Sequence, residues 1–74
     1  MVEKINYSAV IPNNISRIIK RKGIKQSYVA DLSGFSYQQF SDILHGKKIL
    51  RAEYIPRIAA ALGVGIPELY DHSA

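Results

Sequence analysis

The sequence predicts an all-α fold: a compact bundle of five short helices, forming a single domain over residues 1–74. Two observations carry that expectation. Apolar residues recur at spacings of three and four, as one face of a helix requires, and no segment reads as a convincing strand. The glycines Gly23, Gly34, Gly46 and the Gly63-Val64-Gly65 pair fall where the periodic segments stop. A glycine just past the last turn takes the left-handed conformation that closes a helix.

The first helix is expected from about Ala9 or Asn13 to Lys22, with Ile11, Ile15, Ile18 and Ile19 as its apolar stripe. Arg17, Lys20 and Arg21 fall on the opposite side. Pro12 implies that the first turn is still in progress there, because a proline deeper inside loses a hydrogen bond and clashes. Ser8 is then the cap, or Asn13 or Asn14 if the helix starts later. The second helix spans about Gln26 to Ser33, with Val29 and Leu32 inward. The third spans about Tyr37 to His45, with Ser36 at its N-cap. The fourth runs from about Ala52 to Leu62, with Pro56 in or near the first turn and Ile55, Ile58, Ala59 and Leu62 inward. The fifth is a short turn from about Pro67 to Tyr70, with proline in its favoured first position.

Composition narrows the functional classes. At 47% hydrophobic and 22% charged, the chain has the balance of a globular protein. With no cysteine it has no disulfide and no thiolate metal site, and His45 and His72 are too scattered to suggest a protein-only metal site. No apolar run approaches a membrane span and no signal-peptide stretch is visible, so the expected location is cytoplasmic. Ten Lys and Arg against six Asp and Glu give a net charge of +4 and a pI near 9.6. That balance favours polyanionic partners, nucleic acid first, although many small proteins are this basic for solubility alone.

The informative stretch runs from Gln26 to Ile43. Two short helices joined by a turn of a few residues cross closely, so the earlier one needs a small residue at the crossing, which Ala30 supplies. The turn needs a residue tolerant of positive φ, which Gly34 supplies. Phe40 and Ile43 then return to the core on one side of the following helix. Together these describe a helix-turn-helix.

From these residues outward, the chain resembles the lambda-repressor-like, Cro-type (XRE) helix-turn-helix regulators. The likeness runs from Asn14-Ile-Ser-Arg-Ile-Ile-Lys through Gln26-Ser-Tyr-Val-Ala, Gly34-Phe-Ser, Ile43-Leu-His-Gly-Lys-Lys and Arg57-Ile-Ala-Ala-Ala-Leu-Gly-Val to Pro67-Glu-Leu-Tyr. The resemblance implies a five-helix bundle whose third helix reads the major groove of double-stranded DNA. It further implies bacterial or phage gene control, usually by a homodimer on a partly palindromic operator.

On the third helix, at roughly 100° per residue, Phe40, Ile43 and Leu44 gather on one side. Gln38, Ser41, Asp42 and His45 gather opposite, with Tyr37 and Gln39 at the edges. Glutamine can bond the N6 and N7 of adenine together, and serine donates or accepts as needed. A wet helix surface is the ordinary alternative for such residues. The resemblance places base reading on Tyr37, Gln38 and Asp42, with Gln39 and Ser41 nearby. It places phosphate contact on Gln26 and Ser27 at the start of the second helix, and on Lys47 and Lys48 after Gly46. Arg17 and Lys25 are further candidates for the DNA backbone, whereas Lys20 and Lys22 read as a solvated face.

Three residues depart from the family's habit. Asp42 stands where an amide is more usual; it either accepts from a cytosine N4 or faces away from DNA. His45 replaces a small polar residue. Tyr37 is bulky, and stacking on a sugar, touching a thymine methyl and packing back on the core all stay open. No catalytic constellation, cofactor site or small-molecule ligand is evident. An alternative on the same fold is a protein-interaction module, such as an antitoxin or adaptor. Tyr54, Ile66, Leu69 and Tyr70 either pack within the chain or form a two-fold seam.

Overall fold

A computed structural model describes residues 7–71 of the chain. Five helices follow in order: α1 (Tyr7–Lys22), α2 (Gln26–Leu32), α3 (Tyr37–Leu44), α4 (Tyr54–Leu62) and α5 (Ile66–Tyr70). No strand occurs among the described residues, and among them no helix is long and apolar enough to cross a membrane. His72 lies outside them.

The apolar stripes meet in one core. Ile11, Ile15 and Ile18 from α1, Val29 and Ala30 from α2, Phe40 and Ile43 from α3, the α4 stripe of Ile55, Ile58, Ala59 and Leu62, and Leu69 of α5 are all buried. Full burial of a side chain the size of Ile, Leu or Phe contributes about 1.5–3 kcal/mol. These contacts, more than helix propensity, hold segments this short in helical form. α1 lies against α3 and α5, α2 against α3 and α4, and α4 against α5.

The structure corrects the expected start of α1. The helix is already formed at Tyr7, so neither Ser8, Asn13 nor Asn14 is its N-cap, and Pro12 sits in the second turn. The lost amide bond is offset by packing: Pro12 is buried, and with Ala9 and Asn13 it faces Leu44 and Gly46 at the end of α3. Asn14 is buried and bridges two helices. Its Nδ2 donates to the carbonyls of Leu69 at 2.8 Å and Asp71 at 2.7 Å, tying α5 to α1.

Leu32 is the second correction. It is 54% exposed, and the inner side of α2 consists of Val29, Ala30 and Ser33. At about 100° per residue, Leu32 lies roughly 110° from the middle of that side. Ser33 takes the inner position because its hydroxyl donates to the Val29 carbonyl at 2.6 Å, so burial leaves it satisfied. Gly65, grouped above with the helix-closing glycines, instead opens α5 as its N-cap.

α1 to α4 close alike. A glycine at positive φ follows each helix, and the next residue's amide returns to a carbonyl five positions back: Ile24 to Ile19, Phe35 to Ala30, Lys47 to Asp42, and Val64 to Ala59. This pairing normally brings an apolar residue back against the helix. Ile24, Phe35 and Val64 obey. After α3 the position is held by Lys47.

Candidate nucleic-acid interface

α3 owes its start to two reciprocal bonds. The Ser36 hydroxyl accepts from the Gln39 amide at 3.1 Å, and the Gln39 Oε1 accepts from the Ser36 amide at 3.0 Å. This capping box satisfies two backbone donors that would otherwise lack partners. Phe40 and Ile43 anchor the inner side, so the outer side faces solvent with a fixed rotation.

Gln38 and Gln39 are exposed on that outer side, while Ser41 and Asp42 are half-buried. Tyr37, 56% exposed, does not pack back on the core. Gln39 is engaged through its oxygen at the cap. Gln38 donates from Nε2 to the Asp42 Oδ1 at 2.8 Å, across one helical turn. His45 caps the other end. Its Nδ1 lies 2.8 Å from the Ser41 carbonyl, a contact that needs a proton on that nitrogen.

Directly beyond, the Asp42 carbonyl accepts from the amides of Lys47 at 2.8 Å and Lys48 at 3.2 Å. Lys47 is exposed and Lys48 half-buried. Neither forms an ion pair among the described residues, and neither does Asp42.

The remaining candidates are spread over α1 and the start of α2. Lys25 is the N-cap residue of α2, and no side chain caps that helix; Ser27 is exposed and Gln26 half-buried beside it. Arg17 is exposed, with Nη2 donating to the Asn14 Oδ1 at 2.8 Å. The geometry thus gathers Tyr37, Gln38, Gln39, Ser41 and Asp42 on one helix with Lys47 and Lys48 at its end. Arg17 buttresses the α1–α5 tie.

Sequence reasoning did not find the group that braces the α2–α3 turn. Arg57 of α4 donates from Nε to the Ser33 carbonyl at 3.0 Å. Its guanidinium lies over the Phe35 ring, which in turn meets Tyr54 edge-on at a centroid distance of 4.9 Å. Tyr54 is therefore an intramolecular contact. No group of residues able to hold a metal ion occurs among the described residues.

Three solved structures share this fold. The clp gene regulator ClgR from C. glutamicum is 18% identical with a TM-score of 0.80, over 89% of this chain and 86% of its own. The restriction-modification controller protein C.AhdI from Aeromonas hydrophila is 22% identical with a TM-score of 0.78, over 85% and 91%. The hypothetical transcription factor NHTF from Neisseria is 24% identical with a TM-score of 0.80, over 96% and 85%. No curated protein sequence matches the chain. Among families, that of the Cro/C1-type HTH DNA-binding domain matches residues 14–74.

Proposed function

The chain belongs to the Cro/C1-type helix-turn-helix DNA-binding domain family, and from that premise we propose that it is a sequence-specific transcriptional regulator that inserts α3 into the major groove. The family is one of DNA-binding domains and not of enzymes. The observation that carries the reading is the outer side of α3: capped at Ser36, uncovered at Gln38, and followed by two lysines without an ion pair among the described residues. In this reading Gln38, Ser41 and Asp42 face base edges, with Tyr37 and Gln39 at the margin. Lys47 and Lys48 neutralise phosphates, joined by Lys25, the α2 start at Gln26 and Ser27, and Arg17. Two of the fold neighbours are described as a gene regulator and a controller protein, which favours gene control.

A module this small gains affinity by doubling. We infer a homodimer on a partly palindromic operator in the cytoplasm, with a seam that includes Ile66 and Tyr70, 42% and 39% exposed on α5. Leu69 is fully buried within the chain and takes no part.

Titration of a labelled random duplex at low salt, followed by selection from a random pool, tests the function. Binding that weakens steeply with salt, plus one enriched sequence, is the expected result. An absence of duplex binding at low salt favours the protein-interaction module instead, for which the anionic Asp42 on this surface is the one specific argument.

A further inference from the structure

We infer that Asp42 and Gln38 read DNA as one unit selective for exocyclic amino groups, favouring adenine or cytosine in the strand they face and rejecting guanine. The inference rests on the placement of α3 in the groove, and adds the base chemistry that this surface accepts.

The pair fixes the direction of an amide. A carboxylate can only accept, so the Gln38 nitrogen must be the atom turned to Asp42 at 2.8 Å. The Gln38 Oε1 is thereby turned away from Asp42, and one N–H remains uncommitted. What the pair offers a base is an amide oxygen, a second carboxylate oxygen and a single N–H. That set is rich in acceptors and carries a negative charge with no ion pair among the described residues.

In the major groove, adenine shows an N6 donor beside an N7 acceptor, and cytosine an N4 donor. Guanine shows two acceptors, N7 and O6. The fixed amide meets adenine with both its groups: Oε1 takes the N6 hydrogen and the free N–H goes to N7. Cytosine N4 satisfies either Oε1 or the carboxylate. Guanine needs two donors where one is available, and its O6 and N7 meet the anion. Asp42 is therefore a positioning residue for Gln38 and a repulsive element against the wrong base, a device that raises specificity without raising affinity. The backbone beneath it is held in place, since the Asp42 carbonyl receives the Lys47 and Lys48 amides.

The experiment is selection from a random duplex pool with the wild type, Gln38→Ala, Asp42→Asn and Asp42→Ala, each first confirmed folded by circular dichroism. The base position whose preference relaxes in Gln38→Ala marks where the pair reads. There the wild type should show adenine or cytosine, and guanine placed at that position should weaken binding about 5- to 150-fold. Asp42→Asn, which frees amide donors and removes a negative charge, should shrink that ratio to a few-fold or less, while affinity for random duplex rises. Asp42→Ala should shrink it likewise. In the Gln38→Ala background the Asp42 changes should no longer alter the adenine preference. A guanine preference in the wild type, or a preference identical in the wild type and both Asp42 variants, overturns the pair while leaving groove binding intact. A wild type that enriches no sequence overturns both.

Discussion

Arg57 and Phe35 form a single brace at the corner of the helix-turn-helix. The guanidinium carbon sits 4.7 Å from the Phe35 centroid, while Nε of the same side chain holds the Ser33 carbonyl. One side chain from α4 thus grips both the backbone and the aromatic residue of the turn that sets the angle of α3. An exposed cation over an aromatic ring contributes about 0.5–1 kcal/mol, and a hydrogen bond from a charged group about 1.5–3 kcal/mol.

Arg57→Ala is accordingly expected to lower unfolding stability by about 1–2 kcal/mol, discounted for the exposure of the side chain. Urea denaturation measures it. Arg57→Lys should recover little, because a single ammonium cannot both sit over the ring and reach the carbonyl.

Gly34→Ala should be harder on the fold than Gly46→Ala. Both glycines lie at positive φ, +81° and +75°, where an alanine is strained by about 1–2 kcal/mol. A Cβ on Gly46 meets nothing within 4 Å, whereas one on Gly34 lies 2.6 Å from the Arg57 Nη2. The Nη2 end of the guanidinium must then shift, giving up its 3.4 Å contact with the Gly34 carbonyl and loosening the brace. A double-mutant cycle of Gly34→Ala with Arg57→Ala should show coupling of about 0.5–1 kcal/mol, with the second change costing less after the first. Strict additivity speaks against the brace.

Asn14→Leu tests the tie between α1 and α5. It leaves the Leu69 carbonyl without its side-chain donor in a buried place, and a loss of about 2–3 kcal/mol is expected. Hydrogen exchange should show α5 amides losing protection first. Uniform loss across the chain counts against a local tie.

Ser36→Ala removes one half of the capping box and Gln39→Ala the other. About 1 kcal/mol is expected for Ser36→Ala and less for Gln39→Ala, read as thermal midpoints. If α3 reads DNA as proposed, affinity should fall with both, because the helix then frays from the end that enters the groove.

On a selected duplex, Gln38→Ala should weaken binding by about 1–3 kcal/mol and relax one base position. Lys47→Ala should weaken all sequences alike and reduce the slope of log affinity against log salt by about one. A selected site indifferent to both changes removes the case for α3 as the reader.

Much of this architecture is legible in the order of residues, and what is not has a physical cause. The isoleucines of α1 and the α4 stripe announce their burial because helical periodicity and hydrophobicity point the same way. Ser36 announces the start of α3 because an N-cap signal is local, whereas Gln39, which reads from the sequence as part of the polar face, proves to close the capping box. Leu32 misleads because hydrophobicity alone says inward, while Ser33 satisfies its own hydroxyl within α2 and takes the place. Pro12 misleads because its cost is local and its packing against the end of α3 is not. Asn14 and Arg57 act on carbonyls 55 and 24 positions away, which no short-range pattern encodes. The Gln38–Asp42 bond spans only four residues, yet its presence depends on which rotamers the folded helix leaves free.

The lysine that replaces an apolar plug at the close of α3 has a metrical consequence. With the amides of Lys47 and Lys48 both fastened to the carbonyl of Asp42, the two cations start from anchors whose offset from the polar helix face is set by the peptide itself. In the proposed reading the segment works as a calliper, and its span is part of what the domain would recognise. Lengthening it by one residue after Gly46 would shift the jaws without touching a single reading side chain.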